Sequence, residues 1–560
     1  MKPACFLLVD SATLQTEPIM LTPHQQHEAQ AILQALHKAE ARDDKQQQIA
    51  LYRQLLKLIP DMHLGHAQLA NVLLRTDADE EALPHIDQAL AGPANEDIDR
   101  LLFDLMCDRP LFLNEVARAR SWYEASPTRL RFKLYAKALI QNEVLDEAEA
   151  LLAKELQSPH EPTQQALLLS LLGWVYYGMG RFHESIACSQ LALEGTPNDV
   201  QLHLNLALTL EQVKRYAEAM RHYQQALAQE PKNADAHNNL SQLMLKLGQF
   251  DVGWQHYEWR WALVLRDQLQ NFPQPRWNGE PLHGRTLLIW AEQGMGDQIM
   301  FASMLPDLQN LDGPLLFEAG ERLIPLFTRS FPNVRFFKRE EIGRELRDGV
   351  PLVHYGWPAC DLQIPMGSLG SLLRRRREDF QPHAGYLKAD PQETAKLRDA
   401  YRQQFPGKRL VGISWRGGTS VANFKQSRRI EMSQLAHLTC LADVQLINLQ
   451  YGEVEKDLEL AHQHGLSIFN DSSVDPLLDI DRQASQIAAL DAVISIDNTT
   501  VHLAGALGVP TLALLPMNPN WRWGLEEGQS FWYPSVQLLH NARHDDWGDI
   551  VKRSAAILAA

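Results

Sequence analysis

Between residues 160 and 260 the apolar positions recur at helical spacing inside a longer period of 34. Gly173, Ala207 and Ser241 share that period, as do Phe182, Tyr216 and Phe250, and Pro197 and Pro231. Each unit predicts helix, tight turn, helix, with small residues (Ser185 and Ala192, then Ala219 and Ala226) where helices cross. Weaker units show around Ala82–Leu83 and Ala89–Leu90 and around Asp146–Leu152. Helical patterning stops at Asn271–Arg285, where Pro273, Pro275, Gly279, Pro281 and Gly284 punctuate a boundary loop. Short apolar runs follow, which read as buried strands: Leu287–Trp290, Leu315–Glu318, Val334–Phe337 and Leu352–Tyr355. A second series begins at Arg409 and continues through Val444–Leu449, Leu466–Phe469, Val493–Ile496, Thr511–Leu515 and Val536–Leu539, with helical pattern between. Strands alternating with helices predict a doubly wound parallel sheet.

Length and charge narrow the classes. A chain of 560 residues exceeds a single domain. Lys+Arg number 53 against Asp+Glu 69, a net charge of -16 that argues against broad nucleic-acid binding. Cys5, Cys107, Cys188, Cys360 and Cys440 lie far apart, with neither a disulfide framework nor a metal-ligand spacing. The run Ala4–Val9 is too short for a signal core, no run of 18 apolar residues exists, and the chain reads as cytoplasmic with no membrane span. The first 24 residues read as poorly structured, with Met20 an alternative start.

Candidate chemistry gathers at strand ends. After Val493–Ile496 come Asp497, Asn498, Thr499 and Thr500, then a helical pattern from Val501 that Gly508 and Pro510 stop. Ligands of open α/β sheets sit beyond such strand ends. The free N–H groups of the helix start favour an anion, by about 0.3–1 kcal/mol per charge. A phosphate fits there, with Asp497 accepting hydrogen bonds from sugar hydroxyls; capping alone is the simpler role of Asp497 or Thr499. His502 either faces the ligand or sits in the core. After Leu287–Trp290, Gly294 and Gly296 allow a tight turn that leaves Asp297 at a helix start predicted near Ile299. Arg416, Lys425, Arg428 and Arg429 follow the first strand of the second series, as a phosphate clamp or an ordinary basic loop. Arg374–Arg377 reads as a solvated helix end or an attractor of an anionic acceptor. Trp254, Trp259 and Trp261 are expected to pack against the following domain.

The 34-residue units resemble the tetratricopeptide repeat. Together with Glu292-Gln293-Gly294-x-Gly296-Asp297, Arg428-Arg429, Asp497 through Gly508, Asn520-Trp521-Arg522-Trp523 and Trp532-Tyr533-Pro534, the chain resembles bacterial tetratricopeptide-repeat glycosyltransferases. The half from about 271 to 560 is similar to glycosyltransferase family 9, the ADP-heptose heptosyltransferases of lipopolysaccharide synthesis. The resemblance implies an α + α/β fold: a repeat α-solenoid over 25–265, then a GT-B pair of Rossmann-like domains, 271–395 for the acceptor and 396–560 for the donor. It implies metal-independent, inverting transfer of a hexose or heptose from a nucleotide-diphosphate sugar, with no cofactor. The acceptor would be a protein or glycan recruited by the repeats. Asp297 maps onto the base, Arg428 or Arg429 onto the phosphate contact, which is a lysine in heptosyltransferases, and Asp497 and His502 onto donor contacts. Gly294, Gly296, Arg416, Lys425, Asn498, Thr499 and Thr500 complete the expected donor site. Arginine in place of lysine, and the Asn498-Thr499-Thr500 loop, depart from the heptosyltransferase pattern and put ADP-heptose as donor in question. The competing readings are a non-catalytic repeat scaffold and a GT-B sugar-nucleotide epimerase.

Overall fold

The structure, a computed structural model of the chain, describes residues 22–91, 95–107, 109–263, 272–347, 350–417, 428–543 and 546–560, with backbone alone for Asp104, 344–347 and 350–354. Of the start expected to be poorly structured over residues 1–24, residues 1–21 lie outside the described residues, as does Lys425, while Thr22 caps a helix that already begins at Pro23. The chain divides into two compact units, one ending at Pro197 and the other beginning at Asn198.

Helix hairpins fill the first unit. Pro23–Ala41 and Lys45–Leu58 form one, His63–Leu74 and Asp79–Leu90 another, and Pro162–Gly178 and Phe182–Gly195 the last. A residue with left-handed backbone turns each hairpin: Asp43, Asp77 and Gly180 have φ of 52°, 56° and 72°. The second unit keeps the period, with Lys214 and Gly248 at φ 62° and 76°. They join Val200–Gln212 to Tyr216–Gln229 and Ala234–Lys246 to Phe250–Tyr257. Asp199 and Asn233 cap the first helix of each pair by accepting from Leu202 N and Ala236 N, which is why an acid or amide follows each helix-stopping proline. Thus the repeat pattern extends into the unit that also holds the α/β half.

There, strands β1 (Leu287–Trp290), β2 (Leu315–Glu318), β3 (Val334–Phe337) and β6 (Leu362–Pro365) make a parallel sheet in the order β3-β2-β1-β6. The expected strand at Leu352–Tyr355 instead belongs to a separate hairpin of β4 (Glu340–Arg347) and β5 (Val350–Gly356). The sheet's fourth place goes to Leu362–Pro365, whose proline is tolerated because β6 is an edge strand.

The second sheet has the order β12-β13-β11-β10-β7-β8-β9. Its strands are β7 (Arg409–Ser414), β8 (Val444–Asn448), β9 (Ile468–Phe469), β10 (Ala492–Ile496), β11 (Thr511–Leu515), β12 (Gly528–Gln529) and β13 (Val536–His540). All pair in parallel except β12 with β13. In each sheet the chain winds outward one way and then returns to the other side of the first strand. The resulting switch points lie between β1 and β6 and between β7 and β10, and such points are where an open α/β sheet binds its ligand.

The last repeat packs onto this half. Trp254 Nε1 donates to Arg374 O at 2.8 Å, and the Trp254 ring meets Trp521 edge to face with centroids 5.5 Å apart. Trp261 packs on Trp290 at 5.0 Å. Trp259 departs from the expectation and stacks on His237 at 4.1 Å, inside its own repeat. The run Arg374–Arg377 ends a helix with Arg375–Arg377 exposed, as expected, but it is also paired: Arg374 with Asp307 at 2.5 Å, Arg375 with Asp251 at 2.7 Å and Arg377 with Glu526 at 3.1 Å. Three of these four arginines therefore tie the linker to the first sheet's domain, the last repeat and the second sheet's domain. Among the described residues no helix is long and apolar enough to cross a membrane.

Candidate active site

The helix after β1 spans Met295–Ala302 and starts earlier than its apolar pattern suggests, with Gly294 as its N-cap. Gly296 is therefore inside the first turn, and a Cβ there would lie 3.0 Å from His502 Cδ2. Glycine is used here for close approach to the second domain rather than for a turn. Preceding it, Gln293 takes left-handed backbone (φ 63°) and donates from Nε2 to the Tyr257 hydroxyl at 2.7 Å. Glu292 is buried, accepts from Gly367 N at 2.8 Å across the β1/β6 switch point, and pairs with Arg260 of the last repeat.

Asp297 uses both carboxylate oxygens. Oδ2 accepts from Gly294 N at 3.3 Å, which is the capping role, and Oδ1 accepts from Arg522 Nη2 of the second domain. Both side chains keep 15% of their surface exposed, so the pair is reachable from solvent. Arg522 Nη1 also donates to Asn520 Oδ1 at 2.6 Å, and its guanidinium lies over Trp521.

At the β7/β10 switch point the helix Thr499–Ala506 begins, capped by Asn498. Asn498 is fully employed in structure. Its Oδ1 accepts from Thr500 N and Ser495 Oγ, both at 3.0 Å, and its Nδ2 donates to Ser414 Oγ at 2.7 Å and Arg416 O at 3.1 Å. Thr500 is buried with its hydroxyl toward Leu449 O, whereas Thr499 stays partly exposed at the helix start. Asp497 is buried, and Arg428 Nη2 lies 3.5 Å from its Oδ2 while also donating to its backbone carbonyl. Burial opposes the Asp497 charge, but Arg428 and Arg522 outweigh it and hold the carboxyl below the ordinary range.

His502 sits in the core reading of the sequence. It is buried, its Nδ1 is 2.8 Å from the Tyr533 hydroxyl, and its ring stacks on Trp523 at 5.0 Å. Burial pushes its pKa down to about 4, against the pull of Asp497, whose Oδ1 is 3.9 Å from Nε2. The imidazole is therefore neutral at pH 7.

Of the two candidate arginines, only Arg428 reaches this cluster. Arg429 turns to Asp457 at 3.2 Å and Glu431 at 3.0 Å. Arg416 also turns away, with Nε 3.5 Å from Asp457 Oδ2. The geometry brings together Asp297, Arg428, Asp497, Thr499 and His502, with Gly296 making the close approach and Gly294 capping the helix that carries Asp297. It places Asn498 and Thr500 beneath them as supports, and Arg416 and Arg429 to one side. In the sequence Arg522 has a place in the Asn520–Trp523 motif but no role, because its acid partner Asp297 comes from the other α/β domain. Among the described residues no group of three or more His, Cys, Asp or Glu gathers as a metal set.

Residues 210–251 match the tetratricopeptide repeat. Protein FlbA of Caulobacter vibrioides is 32% identical over 314 residues, 55% of this chain and 52% of that protein, so the chain spans about half the length of that curated relative. The structure of a family 9 glycosyl transferase from Veillonella parvula aligns with 12% identity and TM-score 0.34, over 50% of this chain and 91% of that one. The E. coli ADP-heptose lps heptosyltransferase II aligns with 14% identity and TM-score 0.31, over 49% and 97%. These low scores leave the chain's own topology and side chains to carry the reading of its α/β half.

Proposed function

We propose that the chain is a glycosyltransferase that moves a hexose or heptose from a nucleotide-diphosphate donor to a hydroxyl of a protein or glycan engaged by the repeats. The observation that carries this reading is the meeting of two switch points. Asp297, on the helix that follows β1, pairs with Arg522 and lies within electrostatic range of His502 on the helix after β10, where Arg428 meets Asp497. A base on one side and positive charge with a helix start on the other is what transfer to an alcohol needs.

In this reaction the acceptor oxygen attacks the anomeric carbon as the bond from that carbon to the diphosphate oxygen breaks. The acceptor proton passes to Asp297, and the nucleoside diphosphate departs with the bonding pair. Attack opposite the leaving group inverts the anomeric centre. Arg428 and the N–H groups at Thr499 oppose the charge growing on the diphosphate, with no step routed through a metal. A nucleotide sugar as substrate suits a cytoplasmic enzyme.

The test is a thermal-shift screen of the full chain against nucleotide sugars, followed by mass measurement of acceptor after incubation with the stabilising donor. A ligand that binds only the folded chain raises its melting temperature. A panel without any shift is the outcome expected of a scaffold. Donor conversion without any acceptor is the outcome expected of an epimerase.

A further inference from the structure

The ion pair between Asp297 and Arg522 has a property that a plain structural bridge lacks. Arg522 stands between two carboxylates, paired with Asp297 of one α/β domain and within electrostatic range of Asp497 of the other. Its Nε is buried without a hydrogen-bond partner among the described residues, so its planar fork is only partly used. Trp521 beneath the guanidinium and Asn520 beside it restrain the side chain. Across the site, Asp297 and Asp497 are balanced by Arg522 and Arg428, while His502 is neutral. A phosphate entering at Thr499 adds negative charge beside two carboxylates. That charge is tolerated only if a cation turns toward it, and an arginine fork suits phosphate better than a single carboxylate oxygen.

We propose that Arg522 is a phosphate-binding residue of the donor site, held on Asp297 when the site is empty and transferred to the donor's phosphate when the donor binds. This rests on the glycosyltransferase reading and deepens it. With Oδ1 held by Arg522 and Oδ2 by Gly294 N, Asp297 receives the acceptor's proton only by giving up one of these contacts. Moving Arg522 onto phosphate frees Asp297 at the moment the donor is in place. The acceptor hydroxyl then meets an active base only in the donor complex, and the donor binds first.

Competition between Asp297 and phosphate for one guanidinium gives a thermodynamic signature. The affinities of ADP, UDP, GDP and CDP are measured by calorimetry on the full chain and on Arg522→Gln, Arg522→Lys, Asp297→Asn and the Asp297→Asn/Arg522→Gln double variant. The tightest nucleotide should bind Arg522→Gln about tenfold or more weakly, with Arg522→Lys in between, as expected for loss of a charge-assisted contact. Asp297→Asn should tighten binding several-fold, because Arg522 is released in advance, and should leave affinity unchanged in the Arg522→Gln background. Equal affinity in wild type and Arg522→Gln overturns the inference and leaves the glycosyltransferase reading standing. An equal gain from Asp297→Asn in both backgrounds also overturns it, since simple repulsion then accounts for the effect. If none of the four nucleotides binds wild type, the glycosyltransferase reading itself falls and takes the inference with it. Arg522→Lys keeps the charge, so a folding defect confined to Arg522→Gln still leaves a decisive comparison.

Discussion

Arg260 forks onto Glu292, with Nε to Oε2 and Nη2 to Oε1 both at 2.6 Å, and both side chains are almost wholly buried. One residue closes the last repeat and the other lies just past β1, four positions before Gly296. The last repeat is thus part of the wall behind the Gly-x-Gly turn. Lys246 adds a second tie, donating to Glu211 at 2.9 Å and to Asn518 at 2.7 Å, four residues before Arg522.

A truncation at about residue 265, where the repeat pattern ends, would leave Glu292 as a buried unpaired charge. Removing one member of such a pair costs about 3–5 kcal/mol. Arg260→Met should therefore lower the melting temperature by several degrees and weaken nucleotide binding. A chain beginning at Asn198 keeps the whole second unit and should retain nucleotide binding while losing transfer to a protein acceptor. Calorimetry and an acceptor mass shift check the two halves of this expectation. Equal transfer by the shortened chain would assign the earlier repeats another role.

Acid should destabilise the second unit in a defined window. The folded pKa of His502 is about 4, below its ordinary 6.5, so the unfolded chain binds a proton that the folded chain refuses. Stability is unaffected above pH 6.5, falls as pH drops through the interval to 4, and levels off below it. The loss amounts to roughly 3 kcal/mol from this group. Asp497, whose folded pKa is lowered, also loses its contribution as pH falls through that value. His502→Gln keeps a partner for Tyr533 but cannot titrate. Its melting temperature should change less between pH 7 and 4 than that of wild type, and parallel curves would show that His502 is not the source.

Much of this was legible because the carriers of backbone geometry advertise themselves. Phe182, Tyr216 and Phe250 each start a helix right after its left-handed turn, and the apolar runs before Asp297 and Asp497 became strands with those carboxylates just beyond them. What stayed hidden depends on tertiary contact. Local spacing cannot tell Arg428 from Arg429, since the choice is made by Asp457 drawing Arg429 away. Nor does it reveal Arg522, whose acid partner lies in the other α/β domain. Gly296 looked like a turn residue because the signal for a glycine in close approach lies on its neighbour, His502.

That neighbour relation makes Gly296→Ala a sensitive probe. The added methyl would stand 3.0 Å from His502 Cδ2, and His502 is fixed by Tyr533 and Trp523 and cannot retreat. Overpacking of this kind costs about 1–3 kcal/mol. The two helix starts should separate by a few tenths of an ångström, which strains the contact of Asp297 with Arg522. We expect a modest fall in melting temperature and a larger fall in turnover, because reacting groups tolerate displacement poorly. Unchanged turnover would mean that the spacing of these helices does not set the geometry of transfer.

The decisive substitution remains Asp297→Asn. Asparagine keeps the side chain's size, and its carbonyl oxygen can still accept from Gly294 N, so the helix cap survives. What is lost is the charge opposite Arg522 and the ability to take a proton. The ion pair is partly exposed, so its loss should move the melting temperature little. Proton transfer by a positioned base typically contributes about 10²–10⁴-fold, and turnover should fall by that order with saturating donor. Nucleotide binding should persist, which separates a missing base from a missing site. Turnover within a few-fold of wild type would leave Asp297 as a cap and anchor for Arg522, with the base elsewhere. A collapse in melting temperature would instead show that the pairing with Arg522 is chiefly what holds the two α/β domains together.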